Sequence, residues 1–310
     1  MKKLLLAISA LSAALFSTAA NADISVSGSA NAVYVDAAGN SEGHVGGTIS
    51  FALSTTTDAG VTISTSGQIT NDPDAAGGAG TASGMTALTF GFANGSITFA
   101  DDVAVPGAGK VGELVGHADS NQVTHTNDVA LATDDGSGIA VSTTVGDMAI
   151  AGTYFYDGAH LQNIDGGTTT GAGVSITIPF GANSLTVASS SVDAAGTNDT
   201  ATGGALTMPV SGGTLSVGIA TTSGDTAATE GEAYSVAYST TIGGATVGLG
   251  YTGYDANNNT SSMTDVTIST SLGGGASLFA EYSNLTGAGA AAAAQGTAEG
   301  VLAVGTSVSF

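Results

Sequence analysis

Apolar residues return at every second position in one short segment of this chain after another. Thr48–Ser54 reads TISFALS, with Ile49, Phe51 and Leu53 on one side and Ser50, Ala52 and Ser54 on the other. The same period marks Val174, Ile176, Ile178 and Phe180, then Tyr234, Val236, Tyr238 and Ile242, and finally Leu302, Val304, Val308 and Phe310. A period of two is the pattern of a strand with two unlike faces. Helical periodicity is absent. The abundance of Gly (48 of 310 residues), Ser and Thr disfavours helices in any case.

The connections carry a second regularity. Short ones hold hairpin chemistry: Asp58-Ala59-Gly60, Asn94-Gly95, Gly146-Asp147, Gly181-Ala182-Asn183, Gly212-Gly213, Gly243-Gly244 and Gly273–Gly275. Gly and Asn there supply the positive φ angles that tight hairpins need. Longer polar stretches alternate with them: 37–45, 71–83, 102–137, 158–170, 193–202, 222–231, 255–261 and 285–298. That alternation predicts strands near 23–36, 46–56, 61–70, 84–92, 96–101, 138–145, 148–157 and 171–179. Eight more follow near 184–192, 203–209, 214–221, 232–242, 245–254, 262–272, 276–284 and 299–310. An even number of strands with short turns at one rim and long loops at the other describes a membrane-spanning antiparallel barrel.

The second face of each strand separates a barrel from a soluble sandwich. A sandwich buries two apolar faces together and leaves charged residues outside. Here the second face is Ser, Thr, Gly and Ala, with Asp265 and Glu281 as exceptions, which suits a wall that lines water. The expected fold is all-β: a closed barrel of sixteen strands over residues 23–310. Closure is compulsory in lipid, because unpaired backbone groups there cost several kcal/mol each. The first strand, near Ile24 and Val26, is expected to pair with the last, near Val304 and Val308. Leu88, Phe90, Val141, Ile150, Ile176, Val187, Val217, Val236, Leu249, Ile268 and Val304 are expected to face lipid. Phe92, Phe180 and Phe310 fall at the short-turn end, and Tyr34, Tyr156, Tyr234 and Tyr282 near the long-loop end. These form either two interfacial girdles or merely a scatter of strand-favouring aromatics.

Composition removes several function classes. The only bases are Lys2, Lys3 and Lys110, against 25 acidic residues, so the chain cannot neutralise a nucleic-acid backbone. Cys is absent, which excludes disulfide scaffolds, thiol catalysis and Cys-ligated metals. Residues 1–22 read as a secretory signal peptide: Lys2-Lys3, an apolar stretch from Leu4 to Phe16, and Ala20-Asn21-Ala22 before the expected cleavage.

Together, a signal peptide, sixteen amphipathic strands and a terminal Phe310 resemble the Gram-negative general porins, especially the glycine-rich alphaproteobacterial type. In that family the longest loop follows the fifth strand and folds into the pore. Here 102–137, the longest connection, also follows the fifth predicted strand. The resemblance implies homotrimers in the outer membrane, among its lipid and lipopolysaccharide. It also implies passive diffusion of small hydrophilic solutes, and insertion by the barrel-assembly machinery, with Phe310 as the assembly signal. General porins set Arg and Lys across the constriction from acidic residues, and this chain departs from that with Lys110 alone.

Residues 101–137 carry seven of the 25 acids: Asp101, Asp102, Glu113, Asp119, Asp128, Asp134 and Asp135. Asp101, Asp102, Lys110, Glu113, Asp119 and Asp128 are the candidate constriction residues, and they point to selectivity for cations. The same acids on an exposed loop tip would instead hold divalent ions beside lipopolysaccharide. No cofactor is expected. Ala104–Val111 lacks the first Gly and the closing Ser/Thr of a phosphate loop. Asp255–Asn259 begins like a calcium loop, but Thr260 stands where Gly is required. His44, His117, His125 and His160 share no metal-ligand spacing, and no catalytic residue is expected. The alternatives to a channel are a secreted or surface-attached β-structural protein, adhesin or S-layer-like, and, more remotely, a barrel enzyme.

Overall fold

The computed structural model describes residues 23–37, 40–71, 81–83, 85–101, 103, 136–157, 169–194, 196–225, 230–256, 259–287 and 300–310. Among the described residues, seventeen strand segments make a single antiparallel sheet. In the first half they are β1 (Asp23–Ala37), β2 (Asn40–Thr56), β3 (Thr62–Asn71), β4 (Thr81–Ser83), β5 (Ala87–Phe92), β6 (Gly95–Ala100), β7 (Ser137–Val145) and β8 (Met148–Asp157). The second half comprises β9 (Thr169–Phe180), β10 (Asn183–Ala194), β11 (Thr197–Val210), β12 (Gly213–Gly224), β13 (Gly231–Ile242), β14 (Ala245–Ala256), β15 (Asn259–Gly273), β16 (Ala276–Gly287) and β17 (Val301–Ser309).

Successive strands pair, except that β4 and β5 both pair with β3, and β17 pairs with β1, so the sheet closes. Both β4 and β5 lie along β3, through Gln68↔Ser83 and Thr62↔Gly91, and are two parts of one strand interrupted at Met85–Thr86. The barrel therefore has sixteen strands. A ring of this size is wide enough to enclose water.

At the rim that holds Asp23 and Phe310, two-residue turns close six hairpins, and five residues, 57–61, join β2 to β3. Gly243 and Gly244 have φ of 59° and 88°, the two positive angles of a type I′ turn. Ser211, at φ 49°, takes the first such position before Gly212.

At the opposite rim the strands run further than their hydrophobic alternation suggests. The expected loops 37–45, 193–202 and 255–261 are mostly strand: β1 and β2 leave two residues between them, as do β10 and β11, and β14 and β15. Alternation marks only the part of a strand whose two faces meet different surroundings. The backbone ladder continues past it, as in the hydroxyl-rich pairs Ser191↔Thr200 and Thr200↔Ser223. A second difference lies at the seam. β17 pairs with residues 29–37 of β1, through Ala30↔Val308 and Tyr34↔Val304, so Ile24 and Val26 project beyond it. Tilted strands can close into a barrel only with such a stagger.

Because directly paired residues share a face, the register sorts every side chain. Val304, Tyr34, Ala280, Ile268, Leu249, Tyr238 and Val236 fall on one face through successive pairs, and the other expected lipid-facing residues join them. Every exposed large apolar side chain that a strand carries lies on this face, and every buried strand side chain lies on the opposite one. A soluble protein has the reverse arrangement. An apolar band around the whole outside needs lipid rather than water beside it.

Cross-strand rings resting on glycines lock parts of the register. Phe155 faces Gly171, Tyr234 faces Gly253 and Phe279 faces Gly305, each ring occupying the space a β-carbon would need. This accounts for part of the glycine content on chemical grounds: a ring lies flat across a strand only where the partner has no side chain.

Candidate functional site

The candidate site is the inner face of the barrel. It is built from the strand positions between the lipid-facing ones, and hydroxyls dominate it. Facing strands pair them: Thr89 with Thr98 at 2.9 Å, Ser96 with Ser142 at 2.9 Å, Thr177 with Thr186 at 2.9 Å, Thr207 with Ser216 at 3.0 Å, and Ser277 with Ser307 at 2.8 Å. Each hydroxyl both donates and accepts, so such a wall exchanges hydrogen bonds with water in either sense.

On the β15–β16 side the inner face holds two carboxylates. Asp265 and Glu281 are each 1% exposed. The Ser283 hydroxyl donates to Asp265 and lies 3.4 Å from Glu281 Oε1. Buried carboxylates are tolerable only when hydrogen-bonded, and Ser283 supplies part of that. Sequence alone registered Asp265 and Glu281 as charges within strands but not as a buried pair. The available signal was an acid at an inward position of two successive strands. Asp199 on β11 is a third buried acid of this face.

Elsewhere on the inner wall apolar side chains gather beside Asp199 and Ser190. Phe155, Ala188, Val192 and Ala201 form a buried cluster with Ala100 and Ala140 beside it. Val103 belongs to this cluster, at 4% exposure, although it lies beyond the end of β6. Its N–H donates to Gly136 O at 2.7 Å, and the return bond is 3.3 Å. Val103 itself thus packs on the inner face of the barrel.

Of the expected constriction residues, Asp101 is exposed at the end of β6, its N–H donating to Thr86 O at 2.9 Å. Asp102, Lys110, Glu113, Asp119 and Asp128 lie outside the described residues. Phe310 stands at the short-turn rim beside Gly28. Among the described residues, no group of three acidic or histidine side chains is placed to hold a metal.

No protein-family model and no curated protein sequence matches this chain. Solved structures do match its fold. A mutant form of the Rh. blastica porin is 16% identical over 93% of this chain and 100% of its own, with a TM-score of 0.68. A porin structure refined at 1.8 Å is 15% identical over 93% and 100%, with a TM-score of 0.67. A loop L8 deletion mutant of OmpT, an outer membrane protein of Vibrio cholerae, is 11% identical over 93% and 99%, with a TM-score of 0.71. The chain shares the closed sixteen-stranded barrel fold of the porins.

Proposed function

We propose that this chain is an outer-membrane porin: a water-filled, cation-selective channel for passive diffusion of small hydrophilic solutes and ions. The observation that carries the proposal is the inverted barrel, apolar all round its outside and hydroxyl-lined within. A secreted adhesin or S-layer-like protein has no use for an exposed apolar belt on a closed ring, so that alternative is not favoured. No enzymatic role is assigned, since the lumen's described carboxylates are buried rather than presented to a substrate.

The buried Val103 supports an inward course for the connection after the fifth strand, which carries Asp102, Lys110, Glu113, Asp119 and Asp128. In this reading residues 1–22 are a cleaved signal peptide and Phe310 is read by the barrel-assembly machinery. The mature barrel works as a homotrimer of the alphaproteobacterial porin type among lipid and lipopolysaccharide. Purified protein added to a planar bilayer is expected to give stepwise conductance with a reversal potential of cation sign in a KCl gradient. Absence of steps in correctly folded protein would overturn the channel.

A further inference from the structure

One stretch of the outer face is graded by polarity along its strands. Towards the long-connection rim, the outward positions of β13 run Val236, Tyr234, Glu232, and those of β14 run Leu249, Tyr251, Gly253, Asp255. The six side chains among them are all exposed. Tyr234 stands directly opposite Gly253, where a β-carbon would lie 2.3 Å from the ring's Cζ. The ring is thereby held across β14 between Tyr251 and Asp255. The two tyrosine rings lie 6.0 Å apart with their planes 38° from parallel.

Glu232 and Asp255, above the tyrosines, are direct cross-strand partners. Two like charges side by side on one face are unfavourable by themselves. No other two acids are paired in register among the described residues. Their outward neighbours on β12 and β15 are Thr221 and Thr260, hydroxyls without charge. No Lys or Arg lies among the described residues to offset the pair. A cation from outside the chain relieves the repulsion.

Resting on the membrane placement proposed above, we infer that this column docks a lipid whose headgroup carries a positively charged amine. The order of chemistry along the strands follows such a molecule from tail to head. Val236 and Leu249 lie against acyl chains, and Tyr234 and Tyr251 stand at the lipid–water boundary. The tyrosine faces and the two carboxylates then meet the ammonium, the former through their ring quadrupoles and the latter through opposite charge. An anionic headgroup meets two carboxylates and no base, so the column selects against it.

The test compares dimyristoylphosphatidylcholine with dimyristoylphosphatidylglycerol, lipids of equal chain length, by native mass spectrometry of the barrel in a nonionic detergent. The choline lipid is expected to be retained at one saturable site, about fivefold more tightly than the glycerol lipid. Glu232→Gln combined with Asp255→Asn should abolish that preference, as should Tyr234→Leu combined with Tyr251→Leu. Asp36→Asn combined with Asp193→Asn removes the same charge from other outward positions and should leave the preference intact. No preference in the parent protein, or equal loss in that control, overturns the site. Displacement of the lipid by an equal concentration of choline chloride shows a site for soluble amines and overturns the lipid assignment. Conductance of the same sample in a planar bilayer separates the two readings. Steps without lipid preference overturn the site alone, and absence of steps overturns the channel.

Discussion

Phe310 and Gly28 exchange two backbone hydrogen bonds, Gly28 N–H to Phe310 O at 2.8 Å and Phe310 N–H to Gly28 O at 2.9 Å. The last residue of the chain thereby extends the seam that β17 forms with β1. Its ring lies over Gly28, where a β-carbon would stand 2.5 Å from a ring carbon. The barrel's closure and its C-terminal aromatic are one local arrangement.

A methyl group at Gly28 and one at Gly171 should therefore have unequal effects. The Phe310 ring is 75% exposed and can swing away, so Gly28→Ala is expected to cost about 0.5–1.5 kcal/mol, the scale of a displaced rotamer. The Phe155 ring against Gly171 is fully buried and has nowhere to go. Gly171→Ala is expected to cost about 1–3 kcal/mol, as overpacking does. Urea unfolding from liposomes measures both, and a larger loss at Gly28 contradicts the packing described.

Parity along a strand gives the next test. Ile176 faces lipid, and Thr177 faces the lumen, where its hydroxyl meets Thr186 at 2.9 Å. Ile176→Arg near the bilayer midplane should cost about 2–4 kcal/mol. Thr177→Arg should cost only about 1 kcal/mol, for the lost hydroxyl pair. Ala237, beside lipid-facing Val236, is not a suitable control, because it is buried. Equal losses at 176 and 177 would remove the assignment of faces.

Sixteen strands were legible in the sequence because period two is a local property, set by what lies on either side of each strand. Strand ends at the long-connection rim were not, since Ser191, Asn198, Thr200 and Ser223 are polar on the outer face too and the alternation fades there. The seam register was also hidden. Ile24 and Val26 look like partners for β17, but a tilted barrel staggers its ends. Of the candidate site, the acids of residues 101–137 were visible as an enrichment. The juxtaposition of Asp265 and Glu281 was not, because it depends on the register between β15 and β16.

That pair yields a third prediction. Ser283→Ala removes the hydroxyl between the two buried carboxylates and is expected to destabilise the barrel by about 1–3 kcal/mol, the cost of a lost hydrogen bond to a buried charge. Glu281→Gln takes away one of the like charges and should recover part of the loss when added to Ser283→Ala. The two changes touch the same atoms, so a double-mutant cycle should show non-additivity of at least about 0.5 kcal/mol. Strict additivity would mean that Ser283 does not mediate between them.

Selectivity for cations is the sharpest expectation for the channel, because Lys110 is the single Lys or Arg after residue 3, against 25 acids. Seven of those acids fall in residues 101–137, and carboxylates beside a confined path raise the local cation concentration and repel anions. The effect must weaken with salt, since the Debye length falls from about 10 Å at 0.1 M to about 3 Å at 1 M. Reversal potentials in KCl gradients are expected to have cation sign at low salt and to shrink toward zero at high salt. Neutralising Asp101, Asp102 and Glu113 together should shrink the low-salt potential without closing the channel. If these acids sit instead on an exposed tip, holding divalent ions beside lipopolysaccharide, the triple variant leaves selectivity unchanged and alters only the protein's response to chelators. An anion-selective channel at low salt refutes the assignment outright.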